Sequence, residues 1–263
     1  MDHKTLQVNG LNIHYTLTGA GPDIIFLHGW ASSARMWSGV VPHLADEYRC
    51  WALDLPGCGD SDKPAPSWYS IPHFTAMVME FARLNELSAL RLVGHSMGGM
   101  IVLDLAARHP QALERLAAVN PVVTGHANLR PFARPAYARQ VLRWILRFSP
   151  AVMQPLLAHP LGNRVTGLHH IRRRTEEFSK GTAESLLSSG RAIVGYDVSP
   201  VLHRITAPTL ILVGDRDVNV PMSESRLAVR RIPNARLQVM HAGHMLSDDR
   251  PLEMVQHLKR FLA

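Results

Sequence analysis

The stretch Leu92-Val93-Gly94-His95-Ser96-Met97-Gly98-Gly99 leaves this chain few folds to choose from. A short apolar run suited to a strand passes, through one Gly-x-Ser-x-Gly turn, directly into a pattern with helical spacing. Gly94 and Gly98 let neighbouring backbone crowd that turn, so the Ser96 hydroxyl projects from the C-terminal edge of a sheet. A serine hydroxyl is a weak nucleophile until a base takes its proton and hydrogen-bond donors await the oxyanion. A helix beginning near Met97 brings an N–H and the positive end of its dipole to that spot. The five-residue pattern also occurs in ordinary Gly-Ser loops, so its weight comes from the flanking elements and from partners downstream.

The rest of the chain fits such a turn. Residues 5–8 and 11–17 alternate and meet at Asn9-Gly10, a hairpin dipeptide. Residues 23–27 form an apolar run of the kind covered on both faces, followed at once by His28-Gly29-Trp30. Residues 36–45 read as a helix, 50–53 as a strand ending in Asp54-Leu55-Pro56-Gly57-Cys58-Gly59-Asp60-Ser61, and 71–84 as a helix. A strand over 90–93, a helix over 97–108 and a strand over 116–120 follow. From 121 to 205 prolines at 131, 135, 150, 155 and 160 break short helical patches. Alternation resumes with a strand over 209–213, a helix over 224–231, a strand over 237–240 and a helix over 252–262. The pattern predicts an α/β protein with a mostly parallel sheet flanked by helices. Residues 1–120 and 206–263 form its core, and 121–205 are a helical cap inserted after the strand ending near Asn120. At 263 residues, one domain with an insertion is the natural division.

Charge is concentrated in that insertion. Residues 121–205 carry twelve Lys and Arg against four acids, a charge of +8 that leaves the remainder of the +7 chain at −1. Arg139, Arg143 and Arg147 fall at i, i+4 and i+8, one stripe of a helix whose other side holds Val141, Leu142, Ile145 and Leu146. They are candidate partner-binding residues, with a solvated arginine face as the alternative. Arg172-Arg173-Arg174 beside Glu176 and Glu177 reads as ordinary helix-surface charge. No nucleic-acid partner is expected, with anionic binding to a membrane or nucleic acid through the insertion as a competing reading. No window has the length of a membrane span, and Met1-Asp2-His3-Lys4 has no signal-type apolar segment behind it, so a cytoplasmic protein is expected. Cys50 and Cys58 are read as free thiols, and no metal site is expected.

A serine nucleophile needs a base and an acid to hold it, supplied from loops at the C-terminal ends of parallel strands. Two loops qualify, Gly214-Asp215-Arg216-Asp217 with two aspartates and His241-Ala242-Gly243-His244 with two histidines. Either member of each pair satisfies that requirement.

With His28-Gly29, the Asp54 to Ser61 loop, the Ser96 turn and these two loops in one order, the chain resembles the α/β-hydrolase family from end to end. The resemblance implies Ser96, Asp217 and His244 as the catalytic set, leaving Asp215 and His241 as the fallback pair. It also implies an oxyanion hole built from the backbone N–H groups of Trp30 and Met97. His28 and Asp54 are expected to brace loops, and His95 to pack, bond a loop or touch substrate. A serine in this position sets the chain apart from the dehalogenases and epoxide hydrolases of the fold, which attack with a carboxylate. The implied activity is that of a serine carboxylesterase working through an acyl-enzyme on Ser96, with no cofactor. Thioesterase, lactonase and C–C hydrolase are alternatives, and a ligand receptor that keeps the triad is the non-enzyme one. The His28-Gly29-Trp30 motif, the basic cap and the length are further similar to the esterases of pimeloyl-carrier-protein methyl ester. Their cap arginines receive an acidic acyl carrier protein, which would make such a protein a partner here.

Overall fold

A computed structural model of the protein describes residues 2–125 and 168–263. Among the described residues eight strands make one sheet. β1 (Asp2–Val8) and β2 (Leu11–Thr18) form the hairpin, with Asn9 at φ 50° and Gly10 at φ 81° in its turn. β3 (Asp23–Leu27), β4 (Arg49–Leu53), β5 (Leu90–His95), β6 (Leu113–Val119), β7 (Thr209–Gly214) and β8 (Ala235–Met240) follow. Their spatial order is β1-β2-β4-β3-β5-β6-β7-β8, antiparallel at β1/β2 and β2/β4 and parallel throughout the rest.

The period-two rule explains the two cores. In β3, Ile25 and Leu27 face one layer while Ile24 and Phe26 face the other. The first layer holds α1 (Ile71–Leu84) and α2 (Met97–Arg108). α1 is capped by Ser70, whose Oγ accepts the His73 N–H, and it buries Ile71, Phe74, Met77, Val78 and Phe81. α2 is buried almost all round because the sheet, α1 and a turn carrying Leu202 and Ile205 each cover one of its sides. The second layer is closed by α7 (Pro251–Leu262), which buries Met254, Val255, Leu258 and Leu262. Each of those side chains contributes about 1.5–3 kcal/mol of apolar burial.

The helix expected over 36–45 is instead two 3₁₀ turns, at Ala34–Trp37 and Val41–His43. Gly39 and Pro42 account for the break, since proline has no N–H to donate to the preceding turn. Between β6 and β7 the described helices are α3 (Leu168–Lys180) and α4 (Ala183–Val194), the latter opened by a Thr182/Ser185 capping box. α5 (Met222–Arg231) and the one-turn α6 (Leu246–Asp249) complete the set. Among the described residues no helix is long and apolar enough to cross a membrane.

Candidate active site

Ser96 sits between β5, the strand flanked by β3 and β6, and α2. Its backbone is held at φ 54°, ψ −111°, a conformation L-residues avoid. Three backbone hydrogen bonds enforce it: Ser96 N–H donates to Val119 at 2.9 Å, and its carbonyl accepts from Met100 at 3.0 Å and Val122 at 3.3 Å. The glycines on either side are steric necessities. A Cβ on Gly94 would stand 2.2 Å from the Gly98 carbonyl oxygen, and one on Gly98 would stand 2.4 Å from that of Leu27. Met97 is the first residue of α2, so its N–H belongs to the turn that has no intrahelical acceptor.

The two candidate acid–base pairs separate cleanly. His244 Nδ1 is 2.7 Å from Asp217 Oδ2, with the aspartate side chain 1% exposed. Asp217 Oδ1 accepts the N–H groups of Asn219 at 2.8 Å and Val220 at 2.9 Å, so the carboxylate is fixed at both oxygens. His241 Nδ1 meets Asp215 Oδ2 at 2.8 Å, but this pair is largely exposed, and Arg216 also contacts the His241 ring. His95, the chain neighbour of Ser96, lies with its ring centroid 4.6 Å from that of His244 and donates from Nε2 to the His244 carbonyl at 2.8 Å. Burial, and then the nearby His244, hold the His95 ring well below the usual histidine range, so it is neutral.

The loop after β3 lies against this elbow. A Cβ on Gly29 would be 3.2 Å from the Ser96 Cβ and 2.7 Å from His95 Nδ1, so only glycine fits there. His28 is fully buried and braces the loop: its Nδ1 donates to the Gly29 carbonyl at 2.7 Å, and its Nε2 accepts the Leu55 N–H at 2.9 Å. Asp54 braces the next loop, accepting from Ala34 at 2.6 Å and Asp60 at 2.8 Å while meeting His14 Nδ1 at 2.8 Å. The Trp30 indole reaches α4, donating to the Leu186 carbonyl at 2.9 Å.

A cavity of about 220 Å³ opens beside His244. Trp30, Phe178, Val218 and Met245 supply apolar wall, and Arg174 and Glu177 supply charge from α3. Here the reading of Arg173 and Glu177 as helix-surface charge is overturned, since both are buried, at 4% and 2% exposure. Arg173 donates to both oxygens of Asp248 at 2.8 Å and lies 3.3 Å from Glu177 through Nε, while Ser32 donates to the other Glu177 oxygen at 2.8 Å. Burial lifts the Glu177 carboxyl above the usual carboxylate range despite the opposing pull of Arg173. Outside this buried knot, Arg35 pairs with Glu176 at 3.0 Å and Lys180 with Asp60 at 2.7 Å, two exposed ion pairs between α3 and the core. Arg139, Arg143 and Arg147 lie outside the described residues. Among the described residues, His14, Asp54 and Asp60 have the spacing of a metal-ligand cluster, but those atoms are already engaged with one another, with backbone N–H groups and with Lys180.

Sequence reasoning passed over Asn120. Fully buried at φ 43°, it accepts the Gly214 N–H at 2.9 Å through Oδ1 and donates from Nδ2 to the carbonyls of Gly243 at 3.2 Å and His244 at 2.8 Å. An asparagine closing an apolar strand was the available signal, because asparagine tolerates the left-handed region and carries both a donor and an acceptor.

Comparison with known proteins agrees with this fold. The pimeloyl-[acyl-carrier protein] methyl ester esterase of Aeromonas hydrophila is 28% identical over 253 residues, covering 93% of this chain and 97% of that protein. A putative carbamate hydrolase of Yersinia enterocolitica is 29% identical over 247 residues, covering 89% of this chain and 86% of its own length. The crystal structure of a hydrolase from Pseudomonas aeruginosa superposes with a TM-score of 0.85 at 25% identity, covering 100% of this chain and 98% of that one. A family model described as alpha/beta hydrolase fold matches residues 22–251, and the chain belongs to that family.

Proposed function

We propose that the protein is a cytoplasmic serine carboxylesterase with Ser96 as nucleophile, His244 as general base and Asp217 as the acid that orients it. The observation carrying this reading is the buried His244–Asp217 pair, whose His244 carbonyl is held by His95, the residue that precedes Ser96. In the mechanism, Ser96 Oγ adds to the ester carbonyl as His244 Nε2 takes its proton. Asp217 fixes Nδ1–H as the donor and stabilises the imidazolium, its own rotation being prevented by the two amides on Oδ1. The backbone N–H groups of Met97 and Trp30 receive the oxyanion, a role supported by the helix N-terminus at Met97 and by the contact of Gly29 with Ser96. His244 then protonates the departing alcohol, and a water activated by the same ring releases the acid.

Residues 121–205 form a helical cap over the pocket in this reading. The narrower substrate is the methyl ester of an acid carried by an acidic acyl carrier protein, docked on Arg139, Arg143 and Arg147. It is supported by the printed name of the Aeromonas relative and by the +8 charge of the insertion. Carbamates are the alternative suggested by the Yersinia relative. Hydrolysis of a short-chain aryl ester, with fluorophosphonate labelling read by mass, tests the chemistry. Ser96→Ala and His244→Ala each lower kcat by at least about 10⁴-fold, while Ser96→Ala takes no label. Folded wild type that neither turns over nor labels refutes the reading. A low-salt gain in kcat/KM for a carrier-protein-bound ester, lost in a triple Arg→Ala variant, tests the partner.

A further inference from the structure

We propose that Asn120 and His95 are positioning residues for hydrolysis, a two-sided clamp on the backbone carbonyl of His244 that fixes the base and acid loops to the Ser96 elbow. The inference rests on the serine-hydrolase reading above.

Three separate chain segments must converge for the chemistry, the turn after β5, the loop after β7 and the loop after β8. Their side-chain meeting point is one peptide. The His244 carbonyl accepts from His95 Nε2 at 2.8 Å and from Asn120 Nδ2 at 2.8 Å. His95 precedes Ser96 directly and bonds the carbonyl of His244 itself, so this bond links the nucleophile's neighbour to the base residue. Asn120 uses its second Nδ2 hydrogen on Gly243 at 3.2 Å and its oxygen on the Gly214 N–H at 2.9 Å. Gly214 opens the turn that closes on Asp217, through the Asp217 N–H to Gly214 carbonyl bond at 3.3 Å. One amide therefore joins the acid loop to the base loop. Its orientation is fixed, because exchanging O and N would set oxygen against two carbonyls and a donor against an N–H.

The surrounding packing leaves little freedom. A Cβ on Gly214 would lie 2.4 Å from the carbonyl oxygens of Ala242 and Gly243, so the two loops touch backbone to backbone. Gly29 closes over the His95 ring from the other side. Facing a carbonyl, the neutral His95 ring carries its proton on Nε2, and it places no second cation against the His244 imidazolium that forms during turnover. Asn120 and His95 do not touch the reacting atoms in this account. They act through the His244 backbone, whose displacement by about 1 Å would lower the rate by about 100-fold.

The test compares Asn120→Asp, which keeps size and the acceptor for Gly214 but loses both donors, with His95→Leu and His95→Gln. Gln can present an N–H where His95 Nε2 stands, and Leu cannot. Each variant is assayed for kcat and KM on an aryl ester, for the rate of fluorophosphonate labelling and for thermal unfolding. Asn120→Asp and His95→Leu are expected to lower kcat and the labelling rate by about 30- to 100-fold with KM within about 3-fold, and His95→Gln to recover about 10-fold of the His95→Leu loss. Should Asn120→Asp fail to fold, the His95→Leu and His95→Gln pair decides. Folded variants with kcat within about 3-fold of wild type, a loss confined to KM, or equal kcat for His95→Leu and His95→Gln each overturn the clamp. Wild type that takes no label on Ser96 instead refutes the hydrolase reading on which it rests.

Discussion

Replacing Arg173 by methionine tests whether α3 is pinned to the core by buried charge or merely decorated with it. The guanidinium makes two 2.8 Å bonds to Asp248 and lies 3.3 Å from Glu177, and both acidic side chains are only 1% exposed. Removing one member of a buried ion pair costs about 3–5 kcal/mol, against about 0–1 kcal/mol for a pair on the surface. The carboxylates left behind keep some support, Asp248 from Arg174 at 3.2 Å and Glu177 from Ser32 at 2.8 Å, which favours the lower end, about 3 kcal/mol. For a chain of this length that corresponds to a fall in Tm of about 6–12 °C. The loss also depends on pH. Burial already raises the Glu177 carboxyl, and deleting Arg173 raises it further. Above the unfolded value of about 4.3 the folded variant then holds a proton that the unfolded chain has released, so its stability falls as pH rises toward the folded value. The deficit of Arg173→Met relative to wild type is therefore smaller at pH 5 than at pH 8. Adding Glu177→Gln restores part of the pH 8 loss by removing the stranded charge. Urea unfolding with m-values at both pH values reads all three quantities. A deficit below about 1 kcal/mol at pH 8, or one that does not change with pH, refutes the buried-charge account.

Three further outcomes follow from the site and its surroundings. The φ 54° backbone of Ser96 stores strain of about 1–3 kcal/mol, and glycine relieves it at an entropic cost of about 0.5–1 kcal/mol. Ser96→Gly should accordingly unfold at higher urea than the equally inactive Ser96→Ala, and the reverse order would refute the strain. The Cys50 and Cys58 thiols are buried and pushed up to about 12, so iodoacetamide at pH 8 should leave both unmodified and activity intact until denaturant is added. Stoichiometric alkylation of folded protein would contradict this. Because burial depresses His95 below its ordinary 6.5, only the unfolded chain takes up that proton as pH falls through 6.5, and stability is lost in that direction. Relative to wild type, His95→Gln should gain about 1 kcal/mol per pH unit between pH 6.5 and 5, and parallel urea profiles for the two proteins would exclude the effect.

The elements that build the sheet were legible because a strand covered on both faces is a continuous apolar run, as in residues 23–27 and 209–213, and because the Ser96 turn admits only glycine beside it. The proposed acid and base were legible only to within a pair from the residues themselves, because Asp215 and His241 repeat the chemistry of Asp217 and His244 two and three positions away. Family resemblance selected the members that the structure finds paired and buried. Residues 36–45 misled because their apolar spacing is helical while Gly39 and Pro42 interrupt the hydrogen-bond ladder. Arg173 and Glu177 misled for a different reason. An i, i+4 charge pair looks the same whether its helix faces water or Asp248, and only the packed fold distinguishes the two. Asn120 was invisible as a hub, since its three partners lie more than ninety residues further along the chain.

The groups that brace the site, His95, Asn120 and the amides of Asn219 and Val220, all stand at the C-terminal ends of β5, β6 and β7 or in the turns that follow them, and none belongs to α3 or α4. The walls of the cavity, by contrast, draw Arg174, Glu177 and Phe178 from α3. Asn219 braces Asp217 and, with Trp30, Val218 and Met245, also lines the cavity, so alignment and wall share the core loops while α3 adds three further residues. The pin from Arg173 to Asp248 ties α3 to the same region, because Asp248 lies four residues beyond His244 and a shift of α3 would pull on the proposed base.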